Sequence, residues 1–164
     1  MRGEGTRVGK GEEVNRAGGV GMILGNTPKN GDEVALDAHI LPATTVGATD
    51  AVKILNYIKS SNKSTAQIDP GMTLFGTKPA PSMTGFSSTG PNPLVADILK
   101  PDITAPGLNI LAAWSEGSSP TNLDSDHRSV KYNFESGTSM ARPHVVKFPD
   151  TISQSNLDEF NVPN

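Results

Sequence analysis

Apolar residues occur in short runs separated by glycine, proline and polar positions, which predicts many brief elements joined by turns. Residues 11–24 predict a short helix that ends at Gly18-Gly19 and continues into a buried strand. The clearest helical spacing lies in 49–61, with Thr49 as its cap. Further strands are predicted over 39–47, 64–71 and 110–114, and residues 129–137 predict a short strand and a turn. Residues 25–33 predict a turn-rich connection, and residues 116–128 predict a solvated loop. The last helix is predicted from Ser139 to about Lys147, ending before Pro149, with Pro143 in about its first turn.

Composition supports this pattern and removes several classes of function. The 164 residues include 17 glycines and 13 prolines, and Leu, Ile, Val and Phe together make up about 22% of the chain. A net charge of −3 offers no attractive field for nucleic acid or an anionic membrane. We expect no membrane span, no signal peptide and, with no cysteine, no disulfide or thiolate metal site. No cofactor or metal cluster is predicted, since Asp32, Glu33 and Asp37 lack the pattern of a calcium loop.

The stretch ESGTSMARPHV at 135–145 is the main candidate for chemistry. A serine in the first turn of a helix lies beside unpaired backbone N–H groups, which can stabilise the oxyanion formed when the hydroxyl attacks a carbonyl. Gly137 and Thr138 leave the approach to Ser139 open. The alternative interpretation is that Ser136, Thr138 or Ser139 is only a helix cap.

SGTSMARPHV resembles the nucleophile motif of subtilisin-like serine proteases, G-T-S-M-A-x-P-H-V. GTKPAP, FSSTGPNP and LKPDITAPGLNILAAW resemble the plant members of that family, in the same order. GEEVNRAGGVGMILGN, DAHILPAT and GATDAVKILNYIKSS resemble the protease-associated domain that plant subtilases carry inside their catalytic domain. The resemblance covers roughly residues 5 to 145 of this chain.

This resemblance implies an α/β fold built from two partial domains. Residues 1–76 correspond to a partial protease-associated domain of the α+β class. Residues 77–148 correspond to a partial subtilisin-like catalytic domain that carries the nucleophile motif. Residues 149–164 form a tail outside the family pattern, and the loss of resemblance after Val145 suggests a truncated gene product, intron read-through or a partial clone.

The resemblance also implies roles at the candidate site. Ser139 matches the nucleophile and its backbone N–H matches one oxyanion donor, while Gly137 and Thr138 form the turn that presents it. His144 matches a structural position on the following helix. The family's catalytic aspartate and histidine and its oxyanion asparagine precede the protease-associated insertion, so we expect them outside this chain and expect the chain alone to be inactive.

Other polar residues within the chain are weaker candidates for a substitute base. His39 lies in the insertion, Asp102 matches a structural position, and His127 lies with Asp124 and Asp126 in a hydrophilic loop that is better interpreted as solvated charge. Two departures from the family pattern stand out: Arg142 replaces a small residue behind the nucleophile, where an unpaired guanidinium is costly to bury, and Gly25 occupies a position where cysteine is common.

Three functional hypotheses therefore remain at this stage. The first is a fragment of a secreted, extracellular plant endopeptidase that acts on polypeptides through Ser139. The second is a non-catalytic fragment that binds a peptide or dimerises through the protease-associated part. The third is an α/β-hydrolase, because GTSMA fits G-x-S-x-[GA]. Asn62-Lys63-Ser64 is a glycosylation sequon on a predicted surface turn, which fits a secreted parent.

Overall fold

A computed structural model describes residues 1–79, 81–98 and 100–146, and it contains both helices and strands. The chain divides into two compact units. The first comprises Met1–Gly85 and Leu111–Phe134, and the second comprises Phe86–Ile110 and the chain from Glu135 onward. The family-domain boundary predicted near residue 76 stays a prediction. The predicted tail at 149–164 lies outside the described residues.

The first unit is built on a helix, a strand and a parallel partner strand. α1 spans Arg7–Arg16 and starts earlier than predicted, because the Thr6 hydroxyl caps it by accepting a hydrogen bond from the Gly9 amide at 3.1 Å. β1 (Met22–Gly25) pairs in parallel with β2 (Ala43–Val46). The strands at 20–24 and 39–47 are thus confirmed, the second beginning just after its proline.

A small apolar core lies where α1 meets β1 and the start of β2. Its buried members and the partly buried side chains packed against them are Met22, Leu24, Leu41, Val14, Ile40 and Ala43. Moving apolar surface out of water in this way stabilises the fold by about 1.5–3 kcal/mol for each large side chain that is fully buried. The apolar run that predicted a buried strand therefore does form the centre of this unit.

α2 spans Ala48–Ser60, as predicted, but its capping differs from the prediction. Gly47 is the N-cap residue and Thr49 lies inside the helix. The cap hydrogen bonds come from Asp32, whose carboxylate accepts from both the amide and the hydroxyl of Thr49 at 2.8 Å. An added Cβ on Gly47 would lie 2.6 Å from an Asp32 oxygen, so glycine makes this approach possible.

The strand predicted over 64–71 is absent: the structure places these residues in exposed irregular chain. Their backbone has no partner strand, and the amide of Thr65 instead donates to the Tyr57 hydroxyl at 3.2 Å. Ile68 supplies the only large apolar side chain of this segment and is itself 37% exposed. Without a face to bury, the segment gains little from strand pairing.

β3 (Ile110–Ala113) and β4 (Tyr132–Glu135) form a second two-stranded sheet, which confirms both strands. The connection between them was predicted to be a solvated loop, and this is wrong for two residues. Thr121 and Asp126 are buried, and the Thr121 hydroxyl donates to the Asp126 carboxylate at 2.6 Å. Arg128 completes the cluster.

The Arg128 guanidinium binds the Asp126 carboxylate through two hydrogen bonds of 2.8 Å. It also donates to the backbone carbonyls of His39 at 3.2 Å and Ala38 at 2.5 Å. The hydrogen bond from the Arg128 side chain, followed by that from Thr121, holds the pKa of Asp126 far below its usual range. The buried carboxylate is therefore paired, as a buried charge must be, and the pair ties this loop to the segment before β2.

Candidate functional site: the Ser139 turn

The segment 136–139, called here the Ser139 turn, is held by a second segment at 107–109. The Gly137 amide donates to the Gly107 carbonyl at 2.8 Å. The Asn109 amide donates to the Ser136 hydroxyl oxygen at 2.8 Å. Two hydrogen bonds between segments nearly thirty residues apart in sequence thus fix the chain that leads from β4 into the last helix.

Close backbone packing at this point requires glycine. An added Cβ on Gly107 would lie 2.9 Å from the Gly137 carbonyl oxygen and 3.4 Å from the Ala141 Cβ. Gly137 has φ of +156°, a conformation that residues with a side chain rarely adopt. The motif pointed to Gly137 in the sequence, but the role of Gly107 was missed. Its only sequence signal is the Pro-Gly pair at 106–107.

α3 spans Thr138–Val146, which confirms the predicted helix over the described residues. Ser139 is its second residue, and both Thr138 and Ser139 are exposed. The Met140 amide turns back to the Gly137 carbonyl at 3.0 Å. Within residues 1–79, 81–98 and 100–146, the Ser139 hydroxyl and the amides of Thr138 and Ser139 have no hydrogen-bond partner. An exposed hydroxyl therefore stands beside two open donors at a helix N-terminus.

The helix-cap alternative finds no support in this geometry. The Ser136 oxygen is occupied by Asn109. Among the described residues, no hydroxyl of Ser136, Thr138 or Ser139 accepts a hydrogen bond from the first turn of α3. The turn is instead positioned by Gly107 and Asn109.

Pro143 was predicted within about the first turn of this helix, and the structure places it in the interior of α3. A proline there has no N–H to donate to the carbonyl four residues earlier, which is that of Ser139. The proline therefore weakens the regular bonding of α3 at the candidate nucleophile.

His144 contacts its own helix. Its Nδ1 lies 2.9 Å from the Met140 carbonyl oxygen. Because a carbonyl only accepts, Nδ1 carries the proton in this contact. The interaction agrees with a structural position for His144 and leaves Nδ1 unable to accept a proton from Ser139.

Two of the acidic candidates are paired with other side chains. Asp102 pairs with Lys100, and Asp126 is bound by Arg128. In the part of the chain that the structure describes, no histidine or carboxylate hydrogen bonds to the Ser139 hydroxyl.

His39 has an environment of its own. Both ring nitrogens are buried and lack a hydrogen-bond partner within the described ranges. Burial lowers the pKa of His39, and the charges of Arg7 and Arg128 lower it further, while Asp37 opposes them. The ring therefore favours its neutral form, and its contacts are those of a packed side chain.

The structure shows the surroundings of Arg142 and Gly25, the two positions at which the sequence departs from the family pattern. Arg142 is exposed, so its guanidinium bears no burial cost in this chain. Gly25 lies against α2: an added Cβ would be 2.6 Å from the Ala51 Cβ and 3.1 Å from the Met1 sulfur. Glycine at this position therefore allows β1 and α2 to approach closely.

Over the described residues, no three histidine, cysteine, aspartate or glutamate side chains converge in a way that could hold a metal ion. Within the same residues, no helix combines the length and apolar character needed to cross a bilayer.

An exposed serine hydroxyl at a helix N-terminus, beside open backbone donors, is the arrangement that serine hydrolases use for nucleophilic attack. Residues 17–154 match the peptidase S8 family, the Subtilase family. This match covers most of the sequence, and the chain belongs to the subtilase family. The α/β-hydrolase alternative is therefore wrong.

Several plant proteases share this sequence closely. The chain is 53% identical over 144 residues to the subtilisin-like protease SBT1.7 of Arabidopsis thaliana, covering 88% of this chain and 19% of that protein. It is 57% identical over 146 residues to SBT5.6, covering 89% and 18%. It is 51% identical over 157 residues to SBT1.3, covering 96% and 20%. The chain thus spans about a fifth of the length of these curated relatives.

Proposed function

We propose that this chain supplies the nucleophile segment of a serine-type endopeptidase, with Ser139 as the attacking residue. The observation that carries the proposal is the exposed Ser139 hydroxyl, which lies beside the unpartnered amides of Thr138 and Ser139 at the start of α3. Membership of the subtilase family and relatives named as proteases support polypeptide substrates. Gly137 and Thr138 present the hydroxyl in this proposal.

The chemistry is acyl transfer in two steps. The Ser139 oxygen attacks the peptide carbonyl carbon, its proton passes to a base, and the tetrahedral oxyanion is stabilised by the Ser139 amide. The C–N bond then breaks, the amine leaves with the proton, and an ester remains on Ser139. Water hydrolyses that ester, releases the acid product and restores the hydroxyl.

We also propose that the chain by itself does not complete this cycle. The first step needs a base at the Ser139 hydroxyl, and among the described residues no histidine or carboxylate hydrogen bonds to that hydroxyl. Purified residues 1–164 should therefore show no turnover of a fluorogenic peptide library above the Ser139→Ala variant. Turnover that disappears on Ser139→Ala would contradict this part of the proposal.

The nucleophile role itself is tested in a complete catalytic domain. Residues 17–145 replace the matching segment of SBT1.7, and the chimera is assayed against the same library. In subtilisin, itself a member of this family, removal of the nucleophile costs about 10⁶ in turnover, and this borrowed value sets the expected loss for Ser139→Ala. Ser82→Ala, at an exposed serine without a described hydrogen bond, is the matched control and should retain activity. Equal activity of the Ser139→Ala chimera would overturn the assignment.

A second, non-catalytic function remains a proposal for the first unit, in which residues 1–76 would be the partial protease-associated domain. The observation that favours binding is an exposed apolar run, in which Met72 is 83%, Leu74 74% and Phe75 92% exposed. Peptide binding or dimerisation through these side chains would bury apolar surface. Sedimentation of the chain and of a Leu74→Ser/Phe75→Ser variant tests it: association should be weaker in the variant, and unchanged association contradicts the proposal.

We propose, finally, that this protein acts outside the cell. The absence of cysteine gives no information about the compartment, and no membrane span lies among the described helices. The support comes from membership of the subtilase family, since the resemblance to its plant members implies a secreted parent.

A further inference from the structure

One sequence motif has no part in the proposed catalysis. Asn62-Lys63-Ser64 is the only Asn-X-Ser/Thr triplet in the 164 residues in which X is not proline. It begins two residues after α2 ends at Ser60. A single sequon is useful because any N-linked modification of the chain must then be assigned to one residue.

The structure makes this triplet accessible. Asn62, Lys63 and Ser64 are all exposed. The C-cap residue Ser61, directly after α2, is extended with φ −114° and ψ 129°, so the chain leaves the helix axis just before Asn62. The Lys63 amide donates to the Ser61 hydroxyl oxygen at 3.3 Å and closes a local bend. The asparagine thus lies on a surface bend rather than in a helix or strand.

The surrounding hydrogen bonds hold the bend without using the asparagine. The Thr65 amide donates to the Tyr57 hydroxyl oxygen at 3.2 Å, and the Ser64 hydroxyl lies 3.5 Å from the Ile58 carbonyl. Among the described residues, the Asn62 side chain has no hydrogen-bond partner. A substituent on its Nδ2 therefore breaks none of these contacts.

We propose that Asn62 carries an N-linked oligosaccharide, an inference that rests on the proposed extracellular function. The donor class is a lipid pyrophosphate-linked oligosaccharide. The Asn62 Nδ2 forms a bond to the anomeric carbon of the sugar and loses a proton. The bond from that carbon to the pyrophosphate oxygen breaks, and the lipid pyrophosphate leaves with the electron pair. No oxidant or reductant is involved.

The full chain is expressed in a eukaryotic secretory system behind a cleavable leader, with an Asn-Gly-Thr acceptor appended after Asn164. Chains that carry the appended glycan are selected, so every molecule measured has passed the glycosylation machinery. Intact mass and gel mobility should show two glycans on the wild type, and digestion with peptide-N-glycosidase should remove both and leave aspartate at position 62. Wild-type chains with only the appended glycan overturn the inference.

Matched variants locate the modification. Asn62→Gln and Ser64→Ala should each carry one glycan, whereas Ser64→Thr should retain two because threonine preserves the acceptor hydroxyl. Asn56→Gln, at an exposed asparagine of α2 outside any sequon, should also retain two. Two glycans on Asn62→Gln contradict the assignment.

The outcome is independent of catalysis. Ser139→Ala should retain both glycans, since the mass reports modification and not turnover. An unmodified Asn62 in chains whose chimera is active removes this inference alone. A modified Asn62 with an inactive wild-type chimera removes the proposed catalytic function alone.

Discussion

Two turns of this chain treat their polar groups in opposite ways. The segment 26–33, called here the Asn26 turn, buries Asn26 completely and uses its amide to bind the carbonyls of Gly31 at 3.1 Å and Glu33 at 2.8 Å. In the Ser139 turn the Ser139 hydroxyl is exposed and has no hydrogen-bond partner among the described residues. Both turns follow a strand and contain glycine, yet the Asn26 side chain holds its turn together whereas the Ser139 side chain makes no such contact.

The difference shows how a fold separates stability from reactivity. A buried polar group must be bonded, because leaving it unpaired costs about 1–3 kcal/mol. A nucleophile needs the reverse: a hydroxyl held in place by its backbone and free to meet a substrate. Hydrogen bonds to Gly107 and Asn109 fix the Ser139 turn, so the Ser139 side chain need not contribute to the fold.

The largest structural effect on the Ser139 turn is expected from Gly107→Ala in the SBT1.7 chimera. The new Cβ would lie 2.9 Å from the Gly137 carbonyl oxygen, so the turn must shift. A displacement of about 1 Å at a reacting group costs about 100-fold in rate, and we expect a loss of turnover of that order. Peptide hydrolysis by the purified chimera measures it.

Gly117→Ala is the matched control for that experiment. Its added Cβ would meet only the Ser115 hydroxyl at 3.5 Å, an ordinary contact. We expect its chimera to retain nearly full activity. If the two alanine variants lose activity equally, the close approach at Gly107 does not position the turn.

A substitution in the Asn26 turn should lower the free energy of unfolding rather than the rate of peptide hydrolysis. Asn26→Ala removes both amide donors and leaves the carbonyls of Gly31 and Glu33 without them. The free energy of unfolding should fall by about 2 kcal/mol, measured by urea unfolding followed by circular dichroism. Asn56→Ala, at an exposed asparagine of α2, should change it by less than about 0.5 kcal/mol. Similar values for the two variants would contradict the role of Asn26.

Short apolar runs predicted most of the elements because they reflect local chemistry. β1 and α2 follow from such runs and their glycine boundaries. The strand at 64–71 was wrong because a favourable composition cannot supply a partner strand. The buried Asp126 was also missed, since its partners Thr121 and Arg128 turn a charged loop into a packed cluster only after the chain folds.

At the candidate site, too, features encoded in one stretch were predicted and features that depend on distant residues were missed. The candidate nucleophile Ser139, the glycine turn before it and the helix after it all lie in one continuous motif, so the sequence was sufficient to predict them. Gly107 and Asn109 lie about thirty positions earlier, and their importance follows from hydrogen bonds to Gly137 and Ser136. The Asp32 cap of α2, seventeen residues before Thr49, was missed for the same reason.

The buried ring of His39 should make the stability of the first unit depend on pH. Its pKa in the folded chain is lowered from the ordinary value of about 6.5, mainly by burial. The unfolded chain therefore binds more protons as the pH falls below about 6.5, and the free energy of unfolding should decrease, by less than about 1.4 kcal/mol per pH unit. Above about pH 6.5 the ring is largely neutral in both the folded and the unfolded chain, so the free energy of unfolding no longer depends on its titration.

Urea unfolding between pH 7 and pH 5 measures this effect. His39→Leu removes the titrating group and should reduce the slope of stability against pH. His127→Leu, at an exposed histidine of the loop before Arg128, is the control and should retain the wild-type slope. An unchanged slope in His39→Leu would mean that the ring is protonated without cost in the folded chain.

The smallest effect is expected from Asp32, which is exposed although it caps α2 through Thr49. Hydrogen bonds from the Thr49 amide and hydroxyl lower the pKa of this carboxyl. Its contribution is therefore complete above the unfolded value of about 3.9 and is lost as the pH falls below it. Asp32→Ala should lower the melting temperature at pH 7 by less than Asn26→Ala does, while Asp32→Asn, which keeps one acceptor oxygen, should recover part of the loss. Asp69→Ala, at an exposed loop aspartate, should leave the melting temperature unchanged. An equal drop in that variant would mean that Asp32 acts through net charge and not as a cap.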